Sequence, residues 1–186
     1  MIDIPGNVRD GGVLLHVCCA PCSGAIIEYL CSNGIKPLIF FSNSNIDTEE
    51  EFAKRFDEVK RYASGFSLET VCDPYDHRAW LSAVKGLENE PERGSRCSAC
   101  FLYRLQRSAA AARERGLGTV TTSLASSRWK SLEQVDEAGI AACGEEMWWG
   151  RSWRKGGLQE RRNAIIKEWN FYNQNWCGCE FSHRRI

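Results

Sequence analysis

The chain has 186 residues, 43% of them hydrophobic and 26% charged, and its 24 basic residues are balanced by 24 acidic ones. These values exclude a disordered chain and a uniformly basic nucleic-acid binder. The longest apolar runs, such as Leu38-Ile39-Phe40-Phe41, fall far short of the roughly 20 residues that cross a bilayer, so no membrane association is expected. Residues 1–9 show no basic start followed by an apolar run; no export signal is read there, and a cytoplasmic location is expected.

Val13 to Val17 is an aliphatic, β-branched run that predicts a buried strand. A helix is expected from Ser23 to Cys31, with Ser23 as cap and Gly34 closing the turn. Leu38 to Phe41 predicts a second strand. Asp47 to Ala63 predicts a helix with Asp47 as cap and Phe52, Phe56 and Val59 at helical spacing. Ser67 to Cys72 predicts a third strand and Asp76 to Val84 a short helix. A helix rich in alanine follows from Cys97 to Arg115, then a strand from Thr119 to Ser123 and a helix from Ser131 to Ala141. Met147 to Trp149 could end a fifth strand, Gln159 to Tyr172 predicts the last helix, and Asn173 to Ile186 reads as an irregular tail. Strands alternating with helices predict an α/β fold: a Rossmann-like, mostly parallel sheet with helices on both faces, whose ligands sit at the carboxyl edge. Neither repeat nor linker interrupts the chain, so one domain is expected, with a core over about 11–150 and a C-terminal helix and tail over 151–186.

Seven of the ten cysteines fall in three groups: Cys18, Cys19 and Cys22; Cys97 and Cys100; Cys177 and Cys179. Close cysteines in a chain without an export signal are more often metal ligands or redox groups than disulfides. Cys22, Cys97 and Cys100 are expected at helix starts, where backbone N–H groups favour thiolate. Seven thiols exceed the four of one structural zinc or one [4Fe–4S] cluster, and three are left for a second metal with an open position. Cys31, Cys72 and Cys143 stand alone and read as ordinary buried residues.

Charge is uneven. From Met147 to Ile186 eight basic residues face three acidic ones, a local net of +5. Within it, Trp153, Arg154, Lys155, Gly156 and Gly157 form a basic, glycine-rich, loop-like run that suits contact with an RNA substrate. Asp73 and Tyr75, just after the third strand, are candidate proton donors, as are His16 and His77; His16 lies within a strand and reads as a core residue.

The string from Leu14 to Ser23, Leu-Leu-His-Val-Cys-Cys-Ala-Pro-Cys-Ser, resembles the opening motif of the QueH-type epoxyqueuosine reductases. Further similarities follow in order: Glu90-Pro91-Glu92, Arg96-Cys97-Ser98-Ala99-Cys100-Phe101, Thr121-Thr122-Ser123-Leu124, Trp153 to Gly157, and Tyr172-Asn173-Gln174 leading into Cys177-Gly178-Cys179. The resemblance implies reduction of epoxyqueuosine to queuosine at the wobble base of tRNA. It also implies a [4Fe–4S] cluster with a neighbouring mononuclear iron, no cobalamin, and an unidentified electron donor. Asn43-Ser44-Asn45 departs from the family, which commonly has proline between the asparagines. The competing readings are a zinc-stabilised RNA-binding module without catalysis and a thiol–disulfide oxidoreductase built on Cys97 and Cys100.

Overall fold

Four short runs rich in aliphatic and β-branched residues meet at the centre of the computed structural model, which describes residues 4–182. They are β1 (Val13–His16), β2 (Leu38–Phe41), β3 (Thr70–Cys72) and β4 (Thr119–Thr122), paired in the order β3-β2-β1-β4 with every pair parallel. Every residue of β1, β2 and β4 is buried. This is why these segments read as unbroken apolar or β-branched runs and not as alternating ones: helices cover both faces of the sheet. The expected fifth strand is a single bridge between Val120 and Trp148. The N–H of Trp148 turns back to the Gly144 carbonyl at 3.0 Å, and its indole lies on Gly139, where any Cβ would clash with it.

The helices are α1 (Gly6–Gly11) before β1; α2 (Ala20–Ser32), α3 (Glu49–Ser64), α4 (His77–Ala83) and α5 (Ser95–Glu114) between the strands; and α6 (Leu132–Cys143) and α7 (Leu158–Glu168) after β4. α2 packs on α3 and α7, while α5 packs on α6. Three helices carry side-chain caps: Thr48 accepts from the Glu51 N–H, Asp76 from Ala79 and Ser131 from Gln134. Thr48 takes the place expected for Asp47. α2 begins three residues earlier than expected because Pro21, lacking an N–H, fits its first turn. α7 stops at Glu168, short of Tyr172, where Asn170 enters the left-handed region at φ 48°.

The core is built from Leu14, Leu15, Ile26, Ile27, Leu30, Ile39, Phe41 and Tyr62, all fully buried. Trp169 and Phe171 pack edge-on against Tyr62, fastening the segment after α7 to the body. The end of the tail, residues 183–186, with Arg184 and Arg185 of its basic stretch, lies outside the described residues, as do residues 1–3. Chain order runs outward from β1 through β2 to β3 and then returns to β4 on the other side of β1. That reversal opens a crevice at the carboxyl ends of β1 and β4, where ligands of such sheets bind.

Candidate functional site

The crevice is filled by polar side chains that the strand ends deliver. His16 closes β1 and bridges its neighbours: one ring nitrogen meets the Thr122 hydroxyl at 2.7 Å, and the other donates to the Ser42 carbonyl at 3.1 Å. Burial, with the charge of Arg104, lowers its pKa to about 3, so the ring is neutral. Asn43 donates to the Val17 carbonyl at 2.9 Å. Beyond this floor, Cys18 and Cys19 follow β1, Cys19 in extended backbone as the N-cap of α2, and Cys22 enters the first turn of α2. Their three sulfurs lie within 4.8 Å of one another. Ser123, which follows β4, accepts from the Cys18 N–H at 2.9 Å and donates to its sulfur at 3.2 Å.

The other four grouped thiols are linked pairwise: Cys100 lies with Cys179, Cys179 with Cys177, and the charge of Cys177 reaches Cys97. Cys97 and Cys100 stand in the first two turns of α5, where the Arg93 N–H donates to the Cys97 sulfur at 3.3 Å. Cys100 and Cys179 share a small apolar cluster with Trp80 and Val84. The Cys179 N–H points at the Cys177 sulfur, 3.5 Å away. Gly178 makes this turn possible: its φ is 103°, and a Cβ there would come within 2.8 Å of Ile46. Burial raises the Cys97 and Cys100 thiols, and negative charge on Cys177 adds to it. The hydrogen bond from Cys179 lowers Cys177, against its burial. The Cys177 carbonyl accepts from Arg55 at 3.2 Å, and the Gly178 carbonyl accepts from the Asp47 N–H at 2.9 Å.

Two cations serve both thiol groups. Arg104 projects from α5 and is only 3% exposed; it donates to the Ser42 carbonyl at 3.1 Å and to the Asn43 side-chain oxygen. Burial works against the charge of Lys130, but Cys18, Cys22 and Cys177 outweigh it and raise its pKa. Hydrogen bonds from Cys19 and Cys22 are the main cause that lowers Cys18, with Lys130 and Arg104 adding to it. Cys18 and Cys177 are favoured as thiolates, while burial raises Cys19, and hydrogen bonds to Cys18 and Cys177, with burial, raise Cys22 and Cys179; thiolates bind soft metals. Four thiols close a metal or cluster site, whereas three leave a position open. A second group, Asp47, His77 and Glu180, also has its ligand atoms within 4.8 Å of one another. Here His77 is held between Glu180 at 3.0 Å and the Ser44 carbonyl at 2.8 Å, and it ties α4 to the tail.

Residues 13–185 match the family model described as epoxyqueuosine reductase QueH. The chain belongs to that family. It is 42% identical over 186 residues to a relative from Acinetobacter baylyi named epoxyqueuosine reductase QueH, covering 98% of this chain and 84% of that one. Relatives of the same name from Haemophilus influenzae and Thermotoga maritima are 39% and 35% identical, each over 92% of this chain and over 71% and 90% of theirs.

Against this background the expected site residues sort by position. Cys18, Cys19 and Cys22 cluster at the carboxyl edge of β1, while Cys31 and Cys143 lie in the last turns of α2 and α6 and Cys72 ends β3, two strands away from β1. Asp73 has its carboxylate occupied by Arg107 and by the Ser42 hydroxyl. Tyr75 donates to the carbonyls of Ile46 and Asp47. Trp153, expected as a surface contact, is 2% exposed; its ring packs edge-on to Trp149 and its N–H donates to Thr121 at 3.3 Å. Arg154 donates to the carbonyls of Ser127 and Lys130. Of that run, Lys155, Gly156 and Gly157 are exposed. Sequence reading missed Arg104, Ser123, Trp129 and Lys130. The run Arg128-Trp129-Lys130, an aromatic between two cations a few residues after the fourth strand, is the signal that could have found the last two.

Proposed function

We propose that this chain reduces epoxyqueuosine in tRNA to queuosine, in the cytoplasm and without cobalamin. The observation that carries the reading is a cluster of three thiols, Cys18, Cys19 and Cys22, at the carboxyl edge of the sheet in a chain of this family. In the proposed assignment Cys97, Cys100, Cys177 and Cys179 hold a [4Fe–4S] cluster, and Cys18, Cys19 and Cys22 hold a mononuclear iron. The donor set suits those groups. It is made of thiols, and the Trp80 indole N–H, buried without an oxygen or nitrogen acceptor, lies close enough to oppose the burial that raises Cys100. N–H groups aimed at cysteine sulfur tune such clusters.

When bound, these groups supply single electrons and a Lewis acid. Removing the epoxide oxygen as water and leaving an alkene consumes two electrons and two protons, the electrons coming from a donor outside the chain. The protein's own residues prepare the crevice. Arg104 and Lys130 offset the negative charge that several thiolates concentrate in a low-dielectric pocket. His16, neutral and bonded on both sides, locks β1 to β2 and β4, so that Cys18 and Ser123 keep their places. Asp73 and Tyr75, expected as proton donors, act in this reading by positioning. Asp73 fixes Ser42, whose carbonyl orients His16 and Arg104, and Tyr75 fixes the Asp47 backbone beside Gly178.

The test is anaerobic turnover of tRNA from cells lacking their own reductase, with a chemical reductant and no cobalamin, read as nucleosides by mass spectrometry. Conversion of epoxyqueuosine to queuosine by a brown, iron-containing protein is the expected result. A colourless zinc protein that binds tRNA and leaves the epoxide intact would favour the non-catalytic module instead.

A further inference from the structure

Four successive carbonyls after β4 are held by two arginines. Arg154 donates to Ser127 and Lys130, and Arg93 donates to Arg128 at 3.1 Å and to Trp129 at 3.0 Å. A loop whose backbone is gripped at every residue is a rigid display, not a connector. Arg93 itself is anchored. It adopts φ 67°, an unusual conformation for a residue with a side chain. Its N–H reaches the Cys97 sulfur, and its carbonyl accepts from Gln134 at 2.8 Å. The loop is therefore tied directly to the four-thiol group.

What it displays is Trp129, 60% exposed and the most exposed large apolar side chain among the described residues. The Arg128 guanidinium lies over the indole, 4.8 Å from the ring centroid. The next residue, Lys130, turns the other way, toward Cys18, Cys22 and Cys177. Among the described residues, no carboxylate pairs with Arg93, Arg128, Lys130 or Arg154. An exposed indole costs hydration unless something covers it, and cations that no carboxylate pairs with attract polyanions. Unpaired nucleotides satisfy both needs: their bases stack on aromatic rings while their phosphates meet cations.

We infer that Trp129 is a stacking platform for an unpaired base of the substrate RNA, next to the nucleotide that enters the thiol crevice, with Arg128 meeting the adjoining phosphate. This inference rests on the proposed action on tRNA and names the surface that grips the anticodon loop. Because Trp129 is exposed and its loop is held through the backbone, substitution there leaves the fold and the metal ligands untouched.

The test uses the metal-loaded protein and a fluorescein-labelled tRNA anticodon stem-loop, with binding read by anisotropy. Trp129→Ala should weaken binding roughly 5- to 150-fold, the range of one lost base stack, with iron content unchanged. Trp129→Phe should recover most of the affinity, because a phenyl ring also stacks. Turnover of Trp129→Ala at saturating tRNA should match wild type, so the loss falls on KM and not on kcat. The salt slope of binding should stay constant for Trp129→Ala and flatten by about one phosphate contact for Arg128→Gln. Unchanged RNA affinity in Trp129→Ala overturns the inference. So does intact affinity with slower reduction, which would make the surface a docking face for a redox partner. A wild-type protein that neither binds the stem-loop nor turns over tRNA overturns the functional reading beneath it, and the two failures are told apart in one titration.

Discussion

Single residues divide by what burial does to them. Cys143, at the end of α6, is buried, and its thiol is pushed up to about 11. A thiol raised in the folded state keeps a proton that the unfolded chain releases. Its stabilisation is therefore complete below about pH 8.5 and is lost as pH rises toward 11. Chemical denaturation of the holo protein between pH 8.5 and 11 should show a slope of up to about 1.4 kcal/mol per pH unit from this group. Cys143→Ala should remove it; an identical slope in the variant would mean that the thiol does not titrate as described. The same variant, with Cys31→Ser and Cys72→Ser, should keep wild-type iron. The grouping of seven cysteines against three was legible in sequence spacing alone. What spacing could not show is that Cys100 shares an apolar cluster with Cys179, because that neighbourhood is made by the path of α5 and by the turn at Gly178.

At the scale of elements, the strands and most helices were legible because parallel strands buried on both faces read as continuous runs, and because caps such as Asp76 and Ser131 sit where the apolar pattern begins. Trp153 shows the limit. Its neighbours Arg154 to Gly157 are polar and glycine-rich, yet the ring fills space between Tyr29, Trp149 and Thr121, a packing set by residues far away in the chain. Trp153→Ala should accordingly cost about 3–5 kcal/mol of stability, measured by denaturation, while the folded fraction binds RNA as wild type does. A stable variant with weakened RNA binding would return Trp153 to the surface role. The tail is a second case. The sequence reads it as irregular; its backbone is held at Cys177 and Gly178 by Arg55, Asn45 and Asp47, and His77 holds Glu180. Gly178→Ala must adopt φ 103° against Ile46, at a cost of about 1–3 kcal/mol. It should expose the tail to limited proteolysis and strip metal from the four-thiol group first. A protease-resistant tail in that variant would contradict the packing described.

For the whole molecule, the strands pair in a sheet whose reversal between β1 and β4 lies where Cys18, Cys19 and Cys22 cluster. Chelation should leave the far-ultraviolet circular dichroism nearly unchanged, since no strand depends on the cysteines, while lowering the unfolding temperature through lost ligand linkage. Collapse of secondary structure on chelation would mean that metal binding and folding are one event. The central claim, that seven thiols form a four-ligand and a three-ligand centre side by side, is tested most directly by anaerobic iron and acid-labile sulfide counts on wild type, Cys100→Ser and Cys22→Ser. The account predicts about five irons and four sulfides per wild-type chain, loss of sulfide with Cys100→Ser, and loss of about one iron with sulfide retained for Cys22→Ser. Wild-type protein without sulfide, or two variants with the same losses, would contradict it.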